Sequence, residues 1–317
     1  MLIYRVSETK NLNLCLVNFR LNFNTFYMKQ VFLFLFIITT ISACNSRKTL
    51  DKNDANVITV SILPEKTFVE KIAGDNFKIN VLIPPGTSPE AGNLLPSQLK
   101  DITHSGIWFL IGHIGFEYSW KDKIQQANPK MKVVDLSEGL NLIKGGDLHD
   151  AKQNNGSGID PHIWLSPRLV KQMAKKIYDE LAWLKPEKSL EFKGNYQKFV
   201  KEIDELDTEL SNKLREYKGR KIIVFHPSLS YFARDYGLEQ LALEEDGKEP
   251  APQHMAKIVD MAKADNIKVI YIQSEFDREN ARVFAEEIDG KIIQISPLEP
   301  AWADNLRHIA NVFVENF

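Results

Sequence analysis

Residues 186–217 place Phe192, Tyr196, Phe199, Ile203, Leu206, Leu210 and Leu214 three or four positions apart, which puts all seven on one face of a single helix. Such a helix would run far beyond the usual three to four turns of a globular one. Two architectures explain a helix of that length: a coiled coil, or a rigid spine joining two separately folded bodies. The flanking sequence selects the spine, because strand and helix patterns alternate before it and resume after it.

Ahead of the spine, 57–62 (VITVSI) is a β-type run. Residues 64–73 (PEKTFVEKIA) set Phe68, Val69 and Ile72 on one helical face, and Gly74 closes that helix. Further strands are expected at 78–83, 107–111 and 131–134, with helices at 97–104 and from Pro167 to Trp183. Beyond the spine the expected strands are 221–225, 269–273 and 291–295, and the helices 257–265, 280–288 and 301–317. Apolar strands separated by helices indicate parallel sheets buried on both faces. The expected fold is therefore α/β: two parallel-sheet α/β lobes, residues 57–185 and 218–317, bridged by one long rigid helix over 186–217. Ligands of such sheets sit beyond the carboxyl ends of the strands, here in the inter-lobe cleft. The run 145–158 (GGDLHDAKQNNGSG) reads as a surface loop.

The chain before residue 57 reads as processing. Residues 28–44 (MKQVFLFLFIITTISAC) combine one lysine, a short apolar run and small residues, which predicts a signal peptide over 28–43. The apolar run is shorter than the about 20 residues of a membrane-spanning helix. Cys44 after Ser42-Ala43 resembles the lipobox of bacterial lipoproteins, which implies lipid on that cysteine and a polar tether over 44–56. The expected location is the extracytoplasmic, periplasmic face of a bacterial envelope, anchored by that lipid. An ordinary secreted protein with an incidental cysteine is the alternative. Residues 1–27 match no targeting pattern and read as an over-extended start.

Cys15 and Cys44 are the only cysteines, so the body holds no disulfide and no thiolate zinc site. Any metal site there must use His, Asp and Glu. A formal net charge of −2 without a long basic run argues against a nucleic-acid partner. Among seven histidines, His113 and His226 each directly follow a strand, and His162 stands between the loop and a helix start. Imidazole is the commonest nitrogen ligand of zinc, and three with one carboxylate or water complete a tetrahedral shell. A single histidine after a strand is as readily a hydrogen-bonded structural residue; three in matching contexts across two lobes favour a site. His104, His149, His254 and His308 read as structural or solvated. No phosphate loop, nucleophile elbow or H-E-x-x-H helix occurs.

Several blocks together resemble the zinc/manganese-type solute-binding proteins of bacterial ABC transporters, the high-affinity zinc-uptake family. They are Ile83-Pro84-Pro85-Gly86-Thr87-Ser88-Pro89, Asp160-Pro161-His162-Ile163-Trp164, and Phe225-His226-Pro227 through Tyr231-Phe232 to Tyr236-Gly237-Leu238. The resemblance runs from about residue 57 to the C-terminus. It implies a metal held between two lobes and carries His162 and His226 over as ligands. Two positions depart from the family pattern: Glu90 follows Pro89 where many members have histidine, and Ser296-Pro297-Leu298 stands where an aspartate often precedes Pro-Leu. His113 is the expected substitute imidazole, with Glu90 or water supplying oxygen and Glu117 and Glu275 as further oxygen candidates.

The function this implies is capture of one divalent ion, zinc foremost with manganese or iron as the alternative, and its delivery to an ABC permease by a monomeric, non-enzymatic lipoprotein. A lipid-anchored metal-dependent hydrolase using the same histidines is the rival from another class. An adhesin or structural lipoprotein that has lost its metal is the third.

Overall fold

The computed structural model describes residues 56–90, 92–144, 158–244 and 251–317. The expected signal peptide, Cys44 with nearly all of the expected tether, and the stretch containing His149 lie outside the described residues. No described helix is long and apolar enough to cross a membrane.

Two four-stranded parallel sheets form. In the first, β1 (Val57–Val60), β2 (Lys78–Val81), β3 (Ser105–Leu110) and β4 (Lys132–Asp135) lie in the order β2-β1-β3-β4. In the second, β5 (Lys221–Val224), β6 (Glu239–Ala242), β7 (Val269–Gln273) and β8 (Lys291–Ile295) lie in the order β6-β5-β7-β8. The sheets therefore share one topology, and the two α/β lobes expected from the alternation are present. The helices are α1 (Leu63–Ala73), α2 (Pro96–Ile102), α3 (Gly115–Ala127), α4 (Pro167–Leu184), α5 (Ser189–Leu214), α6 (Ser230–Tyr236), α7 (Pro252–Ala264), α8 (Glu279–Glu287) and α9 (Trp302–Val314).

The long helix is α5, extended at both ends by short 3-10 turns at Pro186–Lys188 and Arg215–Tyr217. Its 26 α-helical residues span about 39 Å at 1.5 Å per residue. Phe192, Phe199, Ile203, Leu206, Leu210 and Leu214 are buried along one stripe, whereas Tyr196 is only partly buried and stacks on Tyr178 of α4. Helix α4 meets that stripe through its own buried face, among it Met173, Ile177, Leu181 and Leu184. Ser166 starts α4 by accepting from the Leu169 amide at 3.2 Å, with Pro167 in the first turn, where a missing N–H costs nothing.

One continuous apolar core runs from the first sheet through α1, α4 and α5 into one face of the second sheet. Strand alternation divides the second sheet: Ile222, Val224, Val269 and Tyr271 join that core, while Ile223, Phe225, Ile270 and Ile272 turn to a separate cluster under α7 and α8. Polar bonds inside the seam fix the lobes further. The Trp164 indole donates to the Pro297 carbonyl at 2.9 Å, and the Trp302 indole donates to the Trp164 carbonyl at 2.7 Å. Phe68 of α1 packs edge-on against Trp302, with ring centroids 5.2 Å apart. Tyr231 of α6 donates to the Asp160 carbonyl at 2.7 Å and accepts from the Ile143 amide at 3.0 Å.

Removing the Trp302 indole N–H leaves a buried carbonyl without its donor, at a cost of about 1–3 kcal/mol. Trp302→Phe is therefore expected to lower the thermal midpoint by several degrees, measured by calorimetry or circular dichroism. An unchanged midpoint would show that this bond does not help hold the seam.

Candidate metal centre

His162 and His226 approach the seam from opposite lobes. His162 follows Asp160-Pro161 and enters a short 3-10 turn, Ile163–Leu165, whose residues are all buried. His226 lies two residues beyond β5. Hydrogen bonds continue past that strand on both sides, from Phe225 N–H to the Tyr271 carbonyl and from Glu244 N–H to the Phe225 carbonyl. Gln273, at the end of β7, clamps the His226 backbone: its Nε2 donates to the His226 carbonyl at 2.6 Å and its Oε1 accepts from the His226 amide at 3.3 Å.

Each imidazole is then oriented by a carboxylate. His162 Nδ1 lies 2.8 Å from Asp160 Oδ1, and His226 Nδ1 lies 2.5 Å from Glu244 Oε2. These contacts turn each Nδ1 towards a carboxylate and aim each Nε2 into the cleft. The two Nε2 atoms face one another at 3.3 Å. Two nitrogens sharing a tetrahedral zinc, each about 2.0–2.1 Å from it, stand roughly 3.3–3.4 Å apart. Trp164 packs beside the His162 ring and Phe276 stacks on the His226 ring, so apolar walls enclose the pair.

The cavity at this point measures about 20 Å³ and is lined by both histidines, Glu90 and Glu275. It has room for one ion or a single water. Among the described residues no third His, Cys, Asp or Glu already joins the imidazoles at metal-ligand spacing. Glu90, on the first-lobe side, is exposed, and its Oε2 accepts from the Gly115 amide at the start of α3 at 3.1 Å. Glu275 is partly buried and accepts from the Ser274 hydroxyl at 2.8 Å.

The residues lining this cavity do not include His113. It occupies a left-handed backbone conformation, φ 67°, immediately after Gly112 at φ 83°, and its Nδ1 lies 2.9 Å from the Tyr118 hydroxyl. Glycine is required at 112, because a Cβ there would lie 2.4 Å from Ser137 Oγ. Glu117 turns inward and holds this bend, accepting from the Ile111 and Gly112 amides at 2.8 and 2.9 Å and from the Ser61 hydroxyl. Glu65 similarly accepts from the Ser61 and Ile62 amides at the start of α1. Of the lesser histidines, His254 Nε2 lies 2.8 Å from the Ala242 carbonyl, and His104 and His308 are exposed.

Burial pushes the Glu117 carboxyl up to about 8 despite its three donors. Burial, followed by the neighbouring Glu117, raises Glu65 as well. Both groups hold a proton in the folded chain at pH values where an unfolded carboxyl has lost it, so the folded state binds more protons and stability falls as pH rises. For Glu117 the window runs from the ordinary carboxyl value of 4.5 to about 8. Denaturant unfolding of metal-free protein across that range is expected to show the decline, with a shallower slope in Glu117→Gln. A slope identical in parent and variant would contradict it.

The family model described as "Zinc-uptake complex component A periplasmic", ZnuA, matches residues 58–316. The zinc-binding lipoprotein AdcA of Streptococcus pneumoniae is 25% identical over 283 residues, covering 86% of this chain and 56% of AdcA. The chain thus spans little more than half the length of that relative. A crystal structure of ZnuA matches with a TM-score of 0.76 at 36% identity, covering 83% of this chain and 99% of that one. A deletion mutant of ZnuA with zinc bound gives the same TM-score and identity and is covered to 98%.

Proposed function

We propose that this chain, which belongs to the ZnuA family of periplasmic zinc-uptake components, captures one divalent metal ion, zinc foremost, between its lobes and passes it to the permease of an ABC transporter. The observation that carries this reading is the pair of Nε2 atoms 3.3 Å apart, each backed by a carboxylate on the far side of its ring. In this reading His162 and His226 are the nitrogen ligands. Glu90 swings from the Gly115 amide to supply oxygen, and Glu275 is the second carboxylate facing the same space. His113 acts at the edge, through the bend that seats Gly115 and with it Glu90. No bond in a substrate is made or broken, and the small cavity suits a bare ion rather than the substrate of a hydrolase.

Zinc is favoured because imidazole nitrogen anchors the site, and because AdcA is named for zinc and the ZnuA mutant holds it. Manganese is the second reading, favoured by the two carboxylates that face the cavity, since oxygen donors suit that ion. A single copy of the chain supplies both histidines, in keeping with a monomer. The lipidation at Cys44 expected from the lipobox would tether the protein at the outer face of the membrane, within reach of its permease.

Calorimetric titration of metal-stripped protein lacking residues 1–44 tests the reading. One tight zinc site is expected, weakened more than about 100-fold by His162→Ala or His226→Ala, a larger effect than outer-shell changes give. Glu90→Gln should cost about tenfold and His113→Ala less, since a lost oxygen can be replaced by water. Absence of zinc and manganese binding in the parent would sink the capture role. For the anchor, incorporation of labelled fatty acid by the full chain and its loss in Cys44→Ser is the expected result.

A further inference from the structure

We propose that Asp160 and Glu244 are the positioning residues of this metal site, and that they act by charge as well as by orientation. The inference rests on the capture reading above and deepens it. Asp160, His162, His226 and Glu244 form one line, carboxylate to imidazole to imidazole to carboxylate, with separations of 2.8, 3.3 and 2.5 Å. Asp160 is 7% exposed and Glu244 8%, so both charges are held largely away from water.

Different elements fix each carboxylate. Asp160 Oδ1 also accepts from the His162 backbone amide at 2.9 Å, while the Asp160 carbonyl is held by the Tyr231 hydroxyl at 2.7 Å. Glu244 follows β6 and is tied by its own amide to the Phe225 carbonyl, one residue before His226. Neither ring can turn far without breaking a charged hydrogen bond.

Charge supplies the second argument. Among the described residues, Asp160 Oδ2 is buried without a hydrogen-bond partner. A buried carboxylate oxygen without a donor costs the fold stability, which singles this acid out for a role beyond packing. Asp160 and Glu244 stand directly behind the two imidazoles, where acidic side chains suit a divalent cation bound on the other side of the rings. Buried carboxylates behind the ligands raise the basicity of the imidazoles.

The test uses metal-stripped mature protein and two probes, zinc by chelator competition and cobalt(II) by its visible absorption. Asp160→Asn and Glu244→Gln keep an acceptor for each Nδ1–H while removing the charge; Asp160→Ala and Glu244→Ala remove both. The amide variants should bind one zinc 10- to 100-fold more weakly, with a metal-free thermal midpoint no lower than the parent's. The alanine variants should lose more and should change the cobalt spectrum, which reports ligand geometry. Amide variants binding within threefold of the parent would overturn the charge role. An affinity loss that merely follows a lowered midpoint, with an unchanged cobalt spectrum, would make these residues structural and overturn the proposal. A parent that binds no zinc would remove the capture reading as well, whereas a normal parent with unaffected variants removes this proposal alone.

Discussion

The indole–carbonyl chain from Trp302 to Trp164 to Pro297 is the constraint on which the remainder depends. Trp164 is two residues from His162, and Pro297 lies two residues beyond β8 of the other lobe. One buried chain of donors and acceptors therefore sets the distance between the two strand-end surfaces. The Tyr231 hydroxyl adds a second link at Asp160 and Ile143. With apolar side chains of α1, α4 and α5 filling the space behind, the lobes share a core. A shared core is poorly suited to wide hinge opening, because rotation would expose packed side chains to water. Motion that admits or releases an ion is more economically confined to side chains at the rim.

The proposed metal site is divided in the same manner. Its nitrogen half is built in: two imidazoles, each locked by a carboxylate, and a backbone clamp from Gln273. Its oxygen half is loose, because Glu90 is exposed and rests on a helix-terminal amide that water can replace. In that proposal pre-set nitrogens give affinity without an ordering cost on binding, while an exposed carboxylate gives a route for exchange. A carrier must release what it captures, and a shell locked at every position would bind without handing on.

Much of the fold was legible because apolar periodicity reports burial. The stripe on α5 and the apolar runs of β1, β3 and β7 were read from spacing alone. Strand β6 escaped, since Glu239-Gln240-Leu241-Ala242 is half exposed and has no apolar run. Helix α3 also escaped, as its buried face is reduced to Phe116, Glu117 and Ile124. Helix α7 starts at Pro252, five residues before the expected start at 257. His162 and His226 each stand in a distinctive block, and the structure brings their Nε2 atoms to 3.3 Å, with Glu90 lining the same cavity. His113 followed a strand as His226 does, but a backbone bend after Gly112 sets its Nδ1 beside Tyr118. Sequence position locates the end of a strand and leaves the direction of the side chain open.

Glu244 shows why outer-shell residues are hard to read. It begins the acidic run Glu244-Glu245-Asp246, which looks like solvated surface. Its contact with His226 arises from parallel pairing: β6 lies beside β5, so the residue leaving one strand end meets the residue leaving the other. The same register places Gln273 of β7 on the opposite side of His226. One histidine at the end of a central strand thus takes an orienting acid from one neighbour and a backbone clamp from the other. Asp160 reaches the same result by local sequence, two residues before its histidine. The first arrangement needs a folded sheet and the second only a turn. The His226 half of the site should therefore be the more sensitive to loss of tertiary structure, and metal capture should depend on the second lobe being fully folded.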